Sequence, residues 1–371
     1  MNYSKIYHDL AEYYGKVPYF LFNGYAFLPL HIFFELTYHC NLRCSMCQFL
    51  PLVEDYNSHP YSKDELTTEE IKRIINQLPK SSLITFTGGE PFLRKDFLDI
   101  FEYVSRRNKC HIITNGTSIT EKIAMNLIEK GCDNIFKKGL VLIAVSIEGR
   151  EDIHDRIAGK KGSFKKATEG IKLLLKYRKE RKKTYPLINI STVMSADNIG
   201  TFSEMVKIAD ELGVDIISFL TINTYSFSER FKDISIEEIS NYPRSVVNLN
   251  ANQLSAFSLQ LSAIKSMMGK TRVQIRFSPL GVPVSNIIRF YNGTAVSEDY
   301  RCFSPWSKVV ITAAGDVVPC INYKFGNLRK KTFKEIWNGE EAVKFRKSLK
   351  NDNIFPVCLG CCMIEYIDNG Q

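Results

Sequence analysis

The chain has 371 residues, of which 44% are hydrophobic and 24% are charged, so it is long enough to bury a large core. No stretch reaches the roughly 18 uninterrupted apolar residues of a membrane span, and the N-terminus lacks the features of a signal peptide. The expected location is therefore the cytoplasm, and the net charge of +9 raises the question of an acidic partner.

Six short apolar segments are predicted strands that alternate with helical patterns. They are His31–Tyr38, Ser82–Thr87, Cys110–Thr114, Val141–Ile147, Leu187–Val193 and Val214–Leu220. Between the first two strands, Thr67 and Glu70 form a capping box that predicts the start of a helix. Repeated strand–helix units predict an α/β fold with a parallel sheet, and six units fit a partial (β/α)6 TIM-type barrel better than a closed eightfold one.

The chain divides into four predicted parts. Residues 1–30 form an aromatic-rich extension, residues 31–235 the partial barrel, and residues 236–300 a bridging segment with one predicted helix, Gln253–Met268. Residues 301–371 form a small, cysteine-rich α+β domain, in which Gly315 and Asp316 are the predicted turn of a hairpin.

Basic residues are concentrated between positions 172 and 183, where seven of them accompany one glutamate. Such a run is typical of a solvated helix end. The alternative is a docking surface for an acidic partner, such as an electron donor of the flavodoxin or ferredoxin type. No nucleic-acid-binding motif accompanies the charge, so a nucleic-acid partner is not expected.

Three cysteines, Cys40, Cys44 and Cys47, have the spacing C-x3-C-x2-C directly after the first predicted strand. Three thiolates from one loop can hold three irons of a four-iron cluster and leave the fourth iron open to a small molecule. A zinc loop and a chance cluster are the alternatives, but structural zinc needs four ligands, usually from paired C-x2-C knuckles. The pattern therefore favours an iron–sulfur cluster.

The stretch Leu36–Cys47, which reads LTYHCNLRCSMC, resembles the signature of the radical S-adenosylmethionine (SAM) superfamily. The resemblance covers roughly residues 31–235 and implies that SAM binds to the open iron of a 4Fe–4S cluster. It also implies that the reduced cluster cleaves SAM to a 5′-deoxyadenosyl radical, which abstracts hydrogen from a substrate. In such enzymes the cofactor carries the chemistry and the protein positions it.

Further residues resemble the positions that contact SAM in this family. Gly88, Gly89 and Glu90 follow the second strand, where glycines allow close approach and Glu90 offers an acceptor for a cationic amine. Other candidates follow later strands: Ser146, Glu148, Arg156, Thr192 and Asn198. For Arg156, Thr192 and Asn198, a loop hydrogen bond or a helix cap is the alternative. All lie at C-terminal strand ends, where barrel enzymes gather their sites.

A second group of cysteines lies in the last seventy residues: Cys302, Cys320, Cys358, Cys361 and Cys362. The group resembles the SPASM and twitch modules of radical SAM enzymes, which carry auxiliary 4Fe–4S clusters. A complete SPASM module needs more cysteines after its C-x2-C pair, so we expect a twitch-like form with one auxiliary cluster. The resemblance assigns all but Cys362 as ligands and leaves Cys362 as a spare thiol, an alternative ligand or a hydrogen donor. Zinc remains an alternative for this site.

The resemblance implies an oxidoreductase-type radical SAM enzyme whose auxiliary cluster binds the substrate or accepts an electron. Its substrate is expected to be a small molecule, a natural product or a peptide. Only about thirty residues precede the first strand, so we expect a leader-binding domain to be absent or supplied by another protein.

Two alternatives concern other substrates or another class of protein. Aromatic residues in the extension leave a lipid or isoprenoid substrate as one alternative, because such residues favour membrane interfaces. They are Tyr3, Tyr7, Tyr13, Tyr14, Tyr19, Phe20, Phe22, Tyr25 and Phe27. A cover packed over the open barrel edge is their other interpretation. A metal-binding regulator associated with nucleic acid is a remote alternative.

Overall fold

A computed structural model describes residues 13–58, 63–223, 225, 233–244, 247, 249–279 and 281–367. The strands within these residues are β1 (His31–Thr37), β2 (Leu83–Gly88), β3 (Lys109–Thr114), β4 (Gly139–Ser146), β5 (Leu187–Met194), β6 (Ile216–Thr221), β7 (Gln274–Ser278), β8 (Tyr300–Arg301), β9 (Lys308–Ile311), β10 (Asp316–Val318), β11 (Gly326–Asn327) and β12 (Glu365–Tyr366). Tyr3 and Tyr7 lie outside the described residues.

The α-helices follow in the same chain order. They are α1 (Leu50–Glu54), α2 (Thr68–Gln77), α3 (Phe97–Ser105), α4 (Glu121–Glu129), α5 (Glu151–Ile157), α6 (Ser163–Glu180), α7 (Phe202–Leu212), α8 (Ile236–Ser240), α9 (Ala251–Met267), α10 (Val284–Tyr291), α11 (Phe333–Trp337) and α12 (Glu340–Asp352). Residues 13–21 are also helical. The predicted capping box is confirmed, because Thr67 and Glu70 exchange hydrogen bonds at the start of α2. No helix in this part of the chain is both long and apolar enough to cross a bilayer.

The main sheet runs in the order β11-β10-β9-β1-β2-β3-β4-β5-β6-β7. Strands β1 to β7 are parallel, β9 joins them in parallel beside β1, and β10 and β11 are added antiparallel. The six predicted strands are confirmed to within two residues at each end. Together with the helices between them they form the predicted partial barrel.

Strand β7 was not predicted and lies in the segment interpreted as a bridge. It pairs in parallel with β6 and so extends the barrel sheet. Its five residues, QIRFS, alternate polar and apolar side chains, which is the pattern of a strand with one buried face. So short an alternation between Gly- and Pro-containing turns gives a weak signal, which explains why it was missed.

The barrel strands have an apolar outer face and a more polar inner face. Phe86 of β2 contacts Phe97 of α3, with ring centroids 5.9 Å apart, and Phe219 of β6 contacts Phe202 of α7 at 5.7 Å. Because strand side chains alternate, residues one position away point to the inside of the barrel. We call this inner surface the lumen face; its members include His31, Phe33, Glu35, Thr85, His111, Asn189, Ser191, Ser218, Arg276 and Ser278.

The cysteine-rich C-terminal part continues the barrel sheet rather than standing apart from it. Its β9–β10 hairpin contains the predicted turn, with Gly315 at φ +85°, and β9 pairs with β1. The aromatic-rich extension packs against the same region, because the Tyr19 ring lies 4.7 Å from Phe303 and 4.8 Å from Trp306. The described aromatics of the extension therefore pack against the C-terminal module, where the sequence predicted a cover over the open barrel edge.

Candidate active site

The carboxyl ends of β1 to β5 meet at one edge of the sheet and carry the loops of the candidate site. The cysteine loop follows β1, and its backbone is fixed to the end of α5. Arg43 N donates to Ala158 O at 3.0 Å, and Ser45 N donates to Ile157 O at 2.9 Å. These bonds hold the cysteine loop at the edge of the barrel that is formed by the carboxyl ends of the strands.

The thiols of Cys40, Cys44 and Cys47 lie close enough to affect one another. Burial raises the pKa of Cys47 to about 11 and that of Cys44 well above its usual value, and neighbouring thiols add to both shifts. Such thiols become ligands when a cation replaces their protons. Three partly buried cysteines on one loop fit a four-iron cluster that has one iron without a protein ligand.

Gly88 and Gly89 are needed where the end of β2 meets the cysteine loop. Gly89 N donates to Thr37 O at 2.7 Å, and a Cβ atom on Gly89 would lie only 2.3 Å from His39 O. Gly88 has φ +119°, and a Cβ there would lie 2.4 Å from Thr37 O. The glycines thus let two backbone segments touch, a role different from the approach to a ligand that the sequence suggested.

Replacing Gly89 with alanine should therefore displace the cysteine loop. We expect a loss of stability of about 1–3 kcal/mol, the usual range for overpacking, and incomplete iron loading after anaerobic reconstitution. Gly200→Ala is the matched control, because no atom lies within 4 Å of a Cβ built there. Thermal melts and iron analysis of both variants check this, and equal iron content in the two would contradict it.

Glu90 is fully buried and holds the ends of β2 and β3 together. Its carboxylate accepts hydrogen bonds from Thr114 Oγ1 and Asn115 N, both at 2.8 Å, and from Phe92 N at 3.1 Å. Burial raises the pKa of Glu90 to about 7, although these hydrogen bonds oppose the shift. A carboxylate accepts about four hydrogen bonds, so Glu90 keeps capacity for one more donor.

Glu148 is the second buried carboxyl at this edge. Burial raises its pKa to about 8, and one of its oxygens accepts from Val193 N at 2.8 Å. Its backbone N–H donates to His154 Nδ1 at 3.1 Å, and Asn198 Nδ2 donates to its carbonyl at 2.8 Å. The carboxyl also lies near Cys44, because it contributes to the raised pKa of that thiol. Glu148 therefore lies beside the cysteine loop.

The remaining predicted site residues lie at the same edge, but most of their side chains form hydrogen bonds with backbone atoms of the protein. Thr192 Oγ1 donates to Ile147 O at 2.7 Å, and Asn198 Nδ2 donates to Val193 O at 2.8 Å. Arg156 is exposed and donates to Asp197 O at 3.0 Å. Ser146 ends β4 beside Ser191. The loop-hydrogen-bond alternative thus describes the contacts of Arg156, Thr192 and Asn198.

Two residues of this edge were missed by sequence reasoning as parts of the site. Asn115 Nδ2 donates to Asn41 Oδ1 at 2.9 Å and lies 3.9 Å from Cys40 Sγ, so it joins the β3 end to the cysteine loop. His154 is buried, and its Nε2 has no partner among the described residues. Burial lowers the pKa of His154 to about 4. The position of Asn115 directly after a strand was a usable signal, whereas a lone histidine in a helix gave none.

The second cysteine group is also brought together by the fold. Burial raises the pKa of Cys302 to about 12, with a further contribution from Cys320. Cys320 likewise raises the pKa values of Cys358 and Cys361, so it lies among the other three. Cys302 and Cys358 are buried and Cys320 and Cys361 partly buried, and the four sulfurs together fit an auxiliary four-iron cluster.

Cys362 lies to one side of this group. Its neighbours are Cys361 and Lys308, both of which lower the pKa of the Cys362 thiol, with the larger effect from Cys361. Among the described residues, no three His, Cys, Asp or Glu side chains are arranged around a single metal ion.

The loop that carries the last cysteines closes the open side of the barrel. Thr221 Oγ1, at the end of β6, donates to Gly360 O at 2.7 Å, and Ser278 Oγ, at the end of β7, donates to Cys362 O at 3.3 Å. Gly360 has φ +86°, and a Cβ there would lie 2.3 Å from the Phe290 ring. The second cysteine group therefore borders the lumen.

The basic run between residues 172 and 183 lies at the opposite edge of the barrel. It covers the end of α6, whose 18 residues span about 27 Å from the edge that carries the cysteine loop. Arg178 forms an ion pair with Asp215, just before β6, and Lys183 Nζ donates to Gly131 O at 2.9 Å. The other five basic residues of the run are exposed, which matches the interpretation as a solvated helix end.

Comparison with known proteins yields two family matches. The model of the radical SAM superfamily matches residues 34–209, and that of the SPASM domain, an iron–sulfur cluster-binding domain, matches residues 302–362. An AdoMet-dependent heme synthase of Oleidesulfovibrio alaskensis is 27% identical, over 89% of this chain and 81% of the relative. A cysteine-type anaerobic sulfatase-maturating enzyme of Clostridium novyi is 26% identical, over 87% and 85%.

The fold also resembles a solved structure. The crystal structure of Streptococcus suis SuiB superimposes with a TM-score of 0.61 at 15% identity, covering 92% of this chain and 73% of SuiB. At this identity the similarity concerns the fold alone, and it agrees with a partial barrel followed by a cysteine-rich domain.

Proposed function

This chain is a radical SAM enzyme with a C-terminal SPASM iron–sulfur domain, and we propose that it modifies a polar small molecule or a peptide bound in the barrel lumen. The observation that carries the proposal is the position of the two cysteine groups. One lies at the carboxyl edge of the barrel, and the other is on a loop that closes its open side. A substrate in the lumen would lie between them.

The residues present suit the cofactors of this family. Cys40, Cys44 and Cys47 would hold the 4Fe–4S cluster that binds SAM, and Cys302, Cys320, Cys358 and Cys361 would hold one auxiliary cluster. When bound, the reduced cluster supplies an electron that cleaves SAM to a 5′-deoxyadenosyl radical, which takes a hydrogen atom from the substrate. The protein positions SAM through the loops that follow β2, β4 and β5 and keeps water from the lumen.

The proposed SAM contacts differ in whether their side chains still have a hydrogen-bonding group available for SAM. Glu90 accepts three hydrogen bonds and keeps capacity for a fourth, which we assign to the SAM amine, and Gly88 and Gly89 set the distance of its loop from the cysteines. Ser146 and Glu148 are proposed contacts of the ribose, because both lie at the end of β4. In contrast, Thr192 and Asn198 are proposed as positioning residues, because their polar groups bind backbone atoms. Arg156 stays a proposed contact of the SAM carboxylate.

Glu90 variants test this assignment. Glu90→Gln keeps the size of the side chain but removes its charge, so SAM affinity should fall about tenfold to a hundredfold, the value of a charge-assisted hydrogen bond. Isothermal titration of anaerobically reconstituted enzyme with SAM measures it. Glu129→Gln, which makes the same change at an exposed carboxylate at the end of α4, is the control and should bind SAM normally. Unchanged affinity in Glu90→Gln would remove the residue from the SAM site.

The proposed test of the function itself is substrate-free SAM cleavage. Dithionite-reduced wild-type enzyme should slowly form 5′-deoxyadenosine and methionine, both measured by liquid chromatography. An enzyme with two intact clusters that forms neither product would refute the proposed activity.

The substrate class is proposed from the lumen and from the relatives. The lumen face carries hydroxyl, imidazole, amide and guanidinium groups, which suit a polar substrate better than a lipid or isoprenoid. The lipid alternative depended on the aromatic extension, where Tyr19 is buried against the C-terminal module and Tyr13 remains 67% exposed on the outer surface. The matches to the radical SAM and SPASM families favour an enzyme over the alternative of a nucleic-acid-associated regulator.

An acidic electron donor of the flavodoxin or ferredoxin type is a proposed partner. Its docking surface is better placed around the cysteine loop than at residues 172–183, because electrons must reach the first cluster. Arg43, Arg156 and Lys160 are exposed there, and Lys160 Nζ donates to Asn41 O at 3.3 Å. A cytoplasmic location is also proposed, since cluster ligands require reduced thiols and the ten cysteines form no disulfide.

A further inference from the structure

Arg276 of β7 lies on the lumen face, opposite the helices. Its neighbour Phe277 is paired with Phe219 of β6, and these rings lie 5.8 Å apart. Phe219 contacts Phe202 of α7, so both phenylalanines face the helices. Because side chains alternate along a strand, Arg276 points to the inside of the barrel.

The charge of Arg276 has no acidic partner among the residues that the structure describes. Its guanidinium donates to Gln274 Oε1 at 2.7 Å, a neutral acceptor. Burial lowers the pKa of this side chain, which means that its charged form is partly desolvated. A partly buried charge without a counter-charge is unfavourable, and an anionic ligand would relieve that cost.

Hydrogen-bonding groups continue from Arg276 along the same wall of the lumen. Ser218 is its register partner on β6, and Ser218 Oγ donates to Asn189 Oδ1 at 3.0 Å. Asn189 Nδ2 in turn donates to Ser191 Oγ at 3.0 Å. Two residues after Arg276, Ser278 contacts the loop of the second cysteine group. A ligand bound to Arg276 would lie along the wall of the lumen formed by β5 to β7, the last of which ends at this loop.

The opposite wall, on β1 to β3, carries two histidines, and the same face also holds Glu35 and, from the neighbouring strand β9, Lys308, the register partner of His31. His31 Nε2 lies 2.6 Å from Thr85 Oγ1, which lies 3.0 Å from His111 Nδ1. Burial lowers the pKa of His111 to about 4 and that of His31 well below its usual value, so both are neutral at pH 7. Both histidines nevertheless keep accessible surface, as expected for side chains that line an enclosed space.

We propose that Arg276 binds a carboxylate of the substrate, so that the substrate is a carboxylate-bearing small molecule or a peptide with an acidic side chain. A planar guanidinium binds a carboxylate through two parallel hydrogen bonds. The inference rests on the proposed function, because that function places the substrate in the lumen.

Saturation-transfer-difference NMR on the anaerobically reconstituted enzyme tests the proposal with two acid–amide pairs. Glutarate is compared with glutaramide, and acetyl-Ala-Glu-Ala-amide with acetyl-Ala-Gln-Ala-amide. At least one acid should bind the wild type, and its amide should not. Preference for glutarate indicates a small-molecule substrate, whereas preference for the acidic peptide indicates a peptide.

Three variants complete the experiment. Arg276→Gln should weaken binding of the acid at least about tenfold, and Arg276→Lys should recover part of it. Arg272→Gln, at a side chain that is 84% exposed, should bind as the wild type does. Melting temperature and iron content verify that each variant is folded.

Binding of neither acid to the wild type, equal binding of acid and amide, or unchanged binding to a folded Arg276→Gln variant would overturn the assignment. Failure of the proposed function shows separately, as absence of 5′-deoxyadenosine formation by the wild type. The NMR comparison does not depend on that reaction.

Discussion

Replacing Cys44 with alanine is expected to abolish formation of 5′-deoxyadenosine and to lower the iron content from about eight to about four atoms per chain. Cys44 lies between Cys40 and Cys47 in the sequence and is electrostatically coupled to both thiols. With only two ligands left on the loop, the first cluster should be lost, and with it the iron to which SAM binds. SAM cleavage should then fall to the background of the dithionite reaction, the largest effect expected for any single change in this protein.

Cys132→Ala is the matched control for this experiment. Cys132 is buried just before β4 and belongs to neither cysteine group, so its loss should change neither iron content nor SAM cleavage. Circular dichroism and thermal melts establish that both variants are folded. If a folded Cys44→Ala variant bound eight irons and cleaved SAM, the assignment of the first cluster would be wrong.

Replacing Cys361 with alanine is expected to remove the second cluster, whereas replacing its neighbour Cys362 should leave it in place. Cys361 interacts most strongly with the adjacent Cys362 and also with Cys320 and Cys358, whereas the other charged neighbour of Cys362 is Lys308. Anaerobic reconstitution should therefore give about four irons for Cys361→Ala and about eight for Cys362→Ala. Iron analysis and electron paramagnetic resonance of the reduced proteins distinguish these outcomes.

The Cys361→Ala and Cys362→Ala variants also show whether the second cluster takes part in the reaction or only stabilises the fold. If the second cluster handles substrate or its electrons, Cys361→Ala should keep substrate-free SAM cleavage and lose product, because the first cluster is held by other loops. A cluster that only braces the fold should, when lost, lower stability and both activities together. We expect the functional outcome. A folded Cys361→Ala variant that contains about four irons and still makes full product would refute the functional role, and retention of about eight would refute Cys361 as a ligand.

Local patterns sufficed for the chemistry that is encoded in neighbouring residues. The spacing of Cys40, Cys44 and Cys47 places three thiolates on one loop whatever the rest of the chain does. Alternating strand and helix patterns predicted the six barrel strands, because apolar periodicity reflects burial. The capping box at Thr67 was equally visible, since its two partners are three residues apart.

Contacts between distant segments were decided only by the tertiary structure. The sequence shows two glycines before Glu90 but not why they are needed. A Cβ atom added at Gly89 would lie only 2.3 Å from the backbone oxygen of His39, a residue fifty positions earlier in the chain. Glu90 was expected to be an acceptor for SAM, and the fold engages most of its carboxylate with the β3 end. Such pairings depend on strand order and register, which local patterns do not encode.

The sequence by itself determined the cofactor class, the barrel and the existence of two cysteine groups. Only the tertiary structure decided that the second group closes the barrel, that β7 extends the sheet, and that Arg276 faces the lumen without an acid beside it. The physical reason is the same in each case. A strand exposes alternate residues to opposite faces, and which face becomes a core and which a lumen depends on what packs against it.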